Sequence, residues 1–499
     1  MTTNTGSVIC TSHHRWWRHS YPKFFRYGSS AFVTRPVVTK LLLCEVQRFT
    51  MIKRLIQTVN NHPNTSCVWL GLYGYSRRFS SMMPTISVNP KIGRADQPVC
   101  IQVSKLPPLT PFTVRSHLIG EKGHKFEAHG HYTASTDGEV HLDKHPSIGG
   151  TYTGIEPMGL FWSMVQSPGQ MTGIRYVKLD VTQPSRIDLS LYPGYLGIDE
   201  LQDTTPVTTT SIERVFMDEH MERFEVKAGR VRGMIIKPKG RGPFPGIIDL
   251  YGTAGGLMEM RASLLANYGY AVLALAFCGY QDLPEMFLQI DLDYFEESIN
   301  WFTDQDFVMP GGIGTIGLSK GGEIAVAMAT YFPEKVKAVV SINGAHMHTY
   351  SAMKFRGQTL PYTGYETTKL IVKDGNASCL ELVDDPVEQA VFDFSRVKAE
   401  MLWIAAGDDL NWKSQFYAEE AVKILKTLNM SNYQYLYYPE AGHLIEPSNT
   451  PFCALSYHKL LGLNLLWGGK AKAHTRAQED SWKRILQFFQ KKLQLSSKI

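Results

Sequence analysis

The sequence predicts an α/β protein in which a small antiparallel β-sandwich precedes a mainly parallel sheet with helices on both faces. In the second half of the chain, short apolar runs alternate with amphipathic stretches, the pattern of strands buried on both faces. In the first half, β-type runs are separated by turn residues, as in a sandwich. A length of 499 residues exceeds what one hydrophobic core usually serves, so two domains are expected.

Residues 1–83 are predicted to be an acid-poor, disordered targeting extension. Residues 1–80 carry eleven Lys and Arg against one acid, Glu45, and are rich in Ser, Thr and aromatic residues. This is the composition of a mitochondrial transit peptide, so the mitochondrial matrix is the expected location. The final Ser497-Lys498-Ile499 differs in one side chain from the Ser-Lys-Leu peroxisomal address, so peroxisome and cytosol are the alternatives.

Residues 97–226 are predicted to form the β-sandwich, and residues 229–495 the larger α/β domain. The strand-like runs of the sandwich include Cys100–Val103, Phe112–Ile119 and Phe126–Thr133. Those of the larger domain are Gly246–Leu250, Tyr270–Phe277, Gly314–Leu318, Val336–Ile342, Met401–Ala405 and Tyr433–Tyr438. Apolar residues at helical spacing predict a crossover helix over Leu288–Phe302 and a C-terminal helix over Gln478–Leu493.

Composition argues against several classes of protein. The seven cysteines are scattered and form no Cys-x-x-Cys pair or Cys/His cluster, which argues against a disulfide framework or a metal site. No apolar run reaches the roughly 18–20 residues that cross a bilayer, so no integral membrane segment is expected. The net charge is only +5, and no basic motif interleaved with aromatics predicts a nucleic-acid partner. The pattern specifies no oligomeric state.

A serine stands at a strand-to-helix turn in the larger domain. Gly317-Leu318-Ser319-Lys320-Gly321 fits the pattern Gly-x-Ser-x-Gly, with an apolar strand before it and a helix of small and apolar residues after it. Strand, tight turn and helix together raise a serine hydroxyl above the sheet. The sequence therefore predicts an α/β-hydrolase domain with Ser319 as nucleophile.

A serine nucleophile requires a base that is oriented by an acid, and this fold supplies them in the chain order Ser, acid, His. His443 follows the run that ends at Tyr438 and is the predicted base. Asp408 and Asp409 follow the run that ends at Ala405, and their spacing leaves both open as the acid. The rival histidines are His346, His348, His458 and His474.

The oxyanion hole is expected to use two backbone N–H groups. One belongs to Lys320, at the start of the helix after the nucleophile. The other is assigned to Gly255, in the loop Gly252-Thr253-Ala254-Gly255-Gly256 after the first parallel strand. No Gly-Lys-Ser/Thr follows that loop, which removes a phosphate-binding P-loop as an alternative.

Longer motifs resemble one family, the type I acyl-CoA thioesterases, which share a fold with bile acid-CoA:amino acid N-acyltransferases. The motifs are the stretches 317–323, 407–414 and 438–447, with 150–160 resembling the family's N-terminal domain, and the resemblance spans about residues 97–495. It implies Ser319 as nucleophile, His443 as base and Asp409 as the orienting carboxylate. It also implies fatty acyl-CoA substrates and no metal or redox cofactor.

Two alternatives stay open beside hydrolysis. The first is N-acyl transfer to glycine or taurine through the same acyl-enzyme. That branch of the family typically uses a cysteine nucleophile, so Ser319 favours water as acceptor. The second is a catalytically inactive binding protein, because a fold does not establish a function. Lys320, Arg261 and Lys413 are candidate cations for the CoA phosphates.

Overall fold

The computed structural model describes residues 83–458 and 461–493. Nearly all of the predicted extension, residues 1–82, and the terminal Ser497-Lys498-Ile499 lie outside the described residues. Among the residues that are described, no helix is long and apolar enough to cross a membrane.

The N-terminal part consists of two β-sheets that share one apolar core. Its strands and two short helices are β1 Thr85–Asn89, β2 Ile92–Arg94, β3 Cys100–Ser104, β4 Pro111–Ile119, β5 Lys125–Thr133, β6 Val140–His141, α1 Gly159–Trp162, β7 Val165–Gln166, β8 Ser185–Pro193, α2 Glu200–Asp203 and β9 Thr208–Val215. One sheet has the order β2-β9-β8-β4-β5-β7 and the other β1-β3-β6. Alternate residues of both sheets face each other across the core, as in the predicted sandwich. Only the pair β2–β9 is parallel within these two sheets.

An eight-stranded sheet is the centre of the C-terminal part. The elements of this part are β10 Met221–Ala228, β11 Val231–Pro238, β12 Gly246–Leu250, α3 Met260–Ala266, β13 Ala271–Ala276, β14 Gln289–Asp291, α4 Leu292–Thr303, β15 Ile313–Leu318, α5 Lys320–Tyr331, β16 Val336–Ile342, β17 Ala352–Phe355, β18 Gln358–Leu360, β19 Ile371–Lys373, β20 Asn376–Ser378, β21 Glu400–Ala406, α6 Ser414–Thr427, β22 Tyr433–Tyr438, β23 Leu455–His458, β24 Leu463–Leu466 and α7 Ala471–Lys492. Three 3₁₀ turns cover Thr367–Lys369, Glu388–Ala390 and Phe394–Arg396.

The order of the large sheet is β10-β11-β13-β12-β15-β16-β21-β22. The strands from β13 to β22 are parallel, and β11 pairs antiparallel with both of its neighbours. Helices α3 and α7 pack in one apolar core, and α4, α5 and α6 in a second core on the opposite face. Successive strand residues alternate between the two cores, as Ile247 and Ile248 do. This is the α/β-hydrolase fold, and the prediction of fold class is confirmed.

Three element boundaries differ from the sequence-based expectation. Strand β10 begins at Met221, inside the range 97–226 assigned to the sandwich, but it hydrogen-bonds to β11 and extends the large sheet. The crossover helix begins at Leu292 because the side chain of Asp291 caps it by accepting from the N–H of Asp293 at 3.0 Å. The C-terminal helix begins at Ala471, before the predicted start at Gln478.

Candidate active site

Ser319 occupies the turn between β15 and α5 in a strained backbone conformation. Its φ of 60° and ψ of −126° lie outside the regions that non-glycine residues usually adopt. A Cβ built on Gly317 would lie 2.0 Å from the carbonyl oxygen of Gly321, so the strand and the helix approach too closely for a side chain. Such strain costs on the order of 1–3 kcal/mol and concentrates at functional sites. The geometry is that of the predicted nucleophile elbow.

Asp409 and His443 are in direct contact at the same edge of the sheet. The Nδ1 of His443 lies 2.7 Å from Oδ2 of Asp409, and both side chains are 2% exposed. The carboxylate also accepts from the N–H groups of Asn411 and Trp412, at 2.8 and 2.9 Å, and from the hydroxyl of Ser414 at 2.5 Å. With Nδ1–H donated to Asp409, the Nε2 of His443 is the ring nitrogen left for proton transfer.

The two adjacent aspartates have different surroundings. Asp408 is only partly buried, and its Oδ2 accepts from the N–H of Gly469 at 3.2 Å. Spacing alone leaves the two open, whereas the structure brings only Asp409 to His443. The loop after β21 therefore turns the side chain of Asp409 toward His443 and that of Asp408 toward Gly469.

Ser319 shares its sheet edge with this pair because β15, β21 and β22 end on the same side of the parallel sheet. Among the described residues, no hydrogen bond joins the hydroxyl of Ser319 to the imidazole of His443. Contacts between a nucleophile and its base are often long before substrate binds, so the lack of this hydrogen bond is compatible with catalysis.

The two predicted oxyanion donors differ in whether their N–H groups are already hydrogen-bonded within the protein. The N–H of Lys320 opens helix α5 and has no acceptor within the helix. The N–H of Gly255, by contrast, donates to the carbonyl of Gly252 at 3.3 Å. A Cβ on Gly255 would also meet the carbonyl oxygen of Cys278 at 2.9 Å, so this residue faces the next loop. The structure does not favour Gly255 as an oxyanion donor.

A mostly apolar cavity opens beside Ser319. Its apolar walls include Met286, Leu288, Tyr350, Leu382, Trp412 and Leu465. Polar side chains of Thr253, Asn411 and His458 also line it. Tyr350 has a φ of 61° and stacks on Trp412, with ring centroids 5.2 Å apart. A long apolar ligand chain bound in this cavity would be removed from water, which is energetically favourable.

A buried ion pair supports the wall that carries Tyr350. The Nζ of Lys320 lies 2.6 Å from Oε1 of Glu323 and donates to the carbonyl of Thr349 at 2.5 Å. Both charged side chains are fully buried. Burial lowers the pKa of Lys320 and raises that of Glu323, and their mutual attraction opposes both shifts.

The three candidate cations for the CoA phosphates are all paired within the protein. The side chain of Lys320 is buried with Glu323, as described above. The Nε of the buried Arg261 donates to Asp249 at 2.9 Å. The Nζ of Lys413 lies 2.7 Å from Glu381. None of these three side chains is therefore an unpaired cation at the mouth of the site.

Of the four rival histidines, His458 lines the cavity beside Ser319 and the other three do not, and none of the four forms an ion pair with an acid among the described residues. Burial lowers the pKa of His346 to about 4, against a weaker opposing effect of Glu420, and burial with the nearby Lys320 lowers the pKa of His348 to about 3. His458 lies in the cavity with Ser319. His474 accepts from the N–H of Gly442 at 3.0 Å and donates from Nε2 to the carbonyl of Leu444 at 3.0 Å. The side chain of His474 therefore binds the backbone of the two residues that flank His443. Sequence order does not indicate this role.

Comparison with known proteins gives matches along most of the chain. The family described as Acyl-CoA thioester hydrolase/BAAT N-terminal region matches residues 96–228, and BAAT / Acyl-CoA thioester hydrolase C terminal matches residues 290–495. Acyl-coenzyme A thioesterase 1 of Homo sapiens is 40% identical over 406 residues, which cover 80% of this chain and 94% of that protein. The mitochondrial acyl-coenzyme A thioesterase 2 of Homo sapiens is 40% identical, with coverage of 80% and 82%. Acyl-coenzyme A thioesterase 3 of Mus musculus is 39% identical, with coverage of 82% and 94%.

Proposed function

The chain belongs to the acyl-CoA thioester hydrolase/BAAT family, and on this premise we propose that it hydrolyses fatty acyl-CoA to a free fatty acid and CoA. The observation that carries the proposal is the position of Ser319, at a strained elbow that lines an apolar cavity. An acyl chain fits the chemistry of such walls, and a serine hydroxyl at their edge is the group that attacks the thioester.

In the proposed acylation step, Oγ of Ser319 attacks the thioester carbonyl while Nε2 of His443 takes the hydroxyl proton. The C–S bond then breaks, and the CoA thiolate leaves as a thiol with that proton. Asp409 remains ionised, holds the imidazole through Nδ1–H and stabilises the imidazolium that forms. The 2.7 Å contact between His443 and Asp409 supports these roles.

In the proposed deacylation step, water replaces the thiol. Nε2 of His443 takes a proton from the attacking water, and the new bond forms at the acyl carbon. The ester bond to Ser319 then breaks, and Oγ recovers the proton from the imidazolium. The products are the free acid and the original enzyme, with no metal or redox group in either step.

We assign the oxyanion hole to the N–H groups of Lys320 and Thr253. The N–H of Thr253 donates to no acceptor among the residues that the structure describes, and Thr253 lines the cavity with Ser319. The preceding Gly252 lies against the nucleophile, since a Cβ built there would be 3.7 Å from Oγ of Ser319. Thr253 thus replaces Gly255 as the proposed donor of this loop.

Product analysis tests both the thioester hydrolysis and the identity of the acyl acceptor. With palmitoyl-CoA and shorter acyl-CoA esters, the purified protein is expected to release free thiol and fatty acid in equal amounts. Added glycine or taurine is expected to leave the product unchanged, because the proposal makes water the acceptor. Mass spectrometry of the acyl products distinguishes the acid from the amide. An N-acyl amino acid as main product would establish the transferase alternative instead.

The proposal includes a location in the mitochondrial matrix, directed by residues 1–83. Residues 1–80 contain eleven cations and one acid. Transfer of positive charge to a negative-inside compartment is worth about 2.3 kcal/mol per charge per 100 mV. A relative from Homo sapiens, acyl-coenzyme A thioesterase 2, is itself named mitochondrial.

Reporter fusions test this location. Residues 1–90 fused to a fluorescent protein are expected to carry it into mitochondria, and residues 488–499 are expected to leave it in the cytosol, because Ile499 replaces the leucine of the peroxisomal address. A cytosolic first fusion together with a peroxisomal second fusion would contradict the proposal.

A further inference from the structure

Arg175, from the N-terminal part of the chain, reaches into the catalytic part of the molecule. It lies between β7 and β8, and its side chain is only 19% exposed. Nη2 donates to the hydroxyl of Tyr251 at 2.8 Å, and Nη1 donates to Oε1 of Glu446 at 3.4 Å. Tyr251 in turn donates to the same oxygen of Glu446. One guanidinium therefore binds two segments that are separated by almost two hundred residues of chain.

Both of these segments carry parts of the proposed catalytic apparatus. Tyr251 directly follows β12 and precedes Gly252 and Thr253, the loop of the proposed oxyanion donor. Its carbonyl oxygen also lies against helix α5, since a Cβ built on Gly321 would be 2.3 Å away. Glu446 follows His443 by three residues in the same loop, which connects β22 to β23. A shift of either segment would move a group that acts on the substrate.

The electrostatics make Arg175 difficult to replace. The side chain of Glu446 is 4% exposed, and its second oxygen, Oε2, is buried without a hydrogen-bond partner. Among the residues described, Arg175 is the one cation within ion-pair distance of this carboxylate. Removing the guanidinium would leave a buried negative charge without compensation, and the two segments would have to move to relieve it.

We propose that Arg175 is a positioning residue that fixes the oxyanion loop and the His443 loop relative to each other, so that the N-terminal part contributes to turnover. The inference rests on the proposed function, because it assigns catalytic roles to Thr253 and His443. Arg175 itself touches neither the nucleophile nor the base. Its effect is on the geometry in which they act.

The test compares Arg175→Gln with Arg476→Gln. Arg476 is the matched control because it joins helix α7 to the buried Glu156 of the N-terminal part at 2.6 Å and, among the described residues, makes no hydrogen bond or ion pair with either loop. We expect Arg175→Gln to lower kcat by roughly tenfold to a hundredfold, the size of effect that misplaced catalytic groups produce, with KM nearly unchanged. Arg476→Gln is expected to retain the kcat of the parent protein. Equal kcat values for Arg175→Gln and the parent, or equal losses in both variants, would overturn the inference.

A second variant separates positioning from stability. Tyr251→Phe removes only the hydroxyl that Arg175 contacts, and it provides the same test if Arg175→Gln does not fold. We expect it to lower kcat as well, and the double variant Arg175→Gln/Tyr251→Phe to lose little more than Arg175→Gln alone, since both changes break one network. Fully additive losses would contradict a shared network, and so would an unchanged kcat in Tyr251→Phe.

Labelling of Ser319 by a fluorophosphonate distinguishes failure of this inference from failure of the proposed function. If the parent protein hydrolyses no acyl-CoA, the proposed function fails, but the labelling rate still reports the assembly of the site. Arg175→Gln is then expected to label more slowly than Arg476→Gln. Equal labelling rates would overturn the inference whatever the substrate.

Discussion

Replacement of Ser319 by alanine is expected to lower kcat by about 10⁶, the loss typical of a missing triad nucleophile. The reason is geometric, because Ser319 occupies the strained elbow beside the apolar cavity, whereas Thr253, which also lines this cavity, lies on the loop after β12. Alanine retains the Cβ, so the fold and the binding of acyl-CoA are expected to persist. The measurement is the rate of free thiol release from acyl-CoA by the purified variant, with circular dichroism to verify folding.

A matched control for this variant is Ser341→Ala. Ser341 lies in β16, is 1% exposed, and its hydroxyl has no hydrogen-bond partner among the described residues. Loss of that hydroxyl is expected to leave turnover near that of the parent. Substantial turnover by folded Ser319→Ala, at a level similar to Ser341→Ala, would refute the assignment of the nucleophile.

Replacement of Asp409 by asparagine is expected to lower kcat by about 10⁴, as an amide at this position does in related triads. An asparagine donates where the carboxylate accepts, so it can hold His443 in the tautomer that cannot take a proton from Ser319. Asp408→Asn is the matched control, because the Asp408 carboxylate accepts from the N–H of Gly469 and from no other donor among the described residues. Comparison of kcat for the two variants checks the prediction. Small and equal losses would contradict it, and a larger loss in Asp408→Asn would assign the role to Asp408.

The large sheet is predictable from the sequence because its strands are covered on both faces. The parallel strands in the middle of the sheet are then mostly apolar runs, and the predicted run Val336–Ile342 coincides with β16. The elbow is predictable because its glycines are required by close backbone approach: a Cβ built on Gly317 would lie 2.0 Å from the carbonyl oxygen of Gly321.

Long-range pairing limits what the sequence can predict. The residues Gln289–Asp291 are included in the predicted crossover helix, yet they form β14 by pairing with β17 more than sixty residues later. Strand β10 alternates polar and apolar residues like a sandwich strand, and only its pairing with β11 places it in the large sheet. Local periodicity contains no information about such partners.

The hydrogen-bond partners within the candidate site are likewise not predictable from the sequence. The glycines of the loop 252–256 indicate close backbone approach, but they do not reveal that the N–H of Gly255 is already donated to Gly252. The contact of Arg175 with Glu446 joins residues 271 positions apart, and nothing in either local sequence indicates it. Such partners are determined by the packing of the two parts of the chain.

The central claim, acyl transfer from CoA to Ser319 and then to water, is tested most directly by rapid-quench mass spectrometry with enzyme in excess over palmitoyl-CoA. The account predicts that the acyl group appears on Ser319 as CoA is released, and that it leaves this residue as the fatty acid accumulates. Acylation of another side chain, such as Cys379 in the same cavity, or formation of fatty acid with no acyl group on Ser319 at any time, would contradict it.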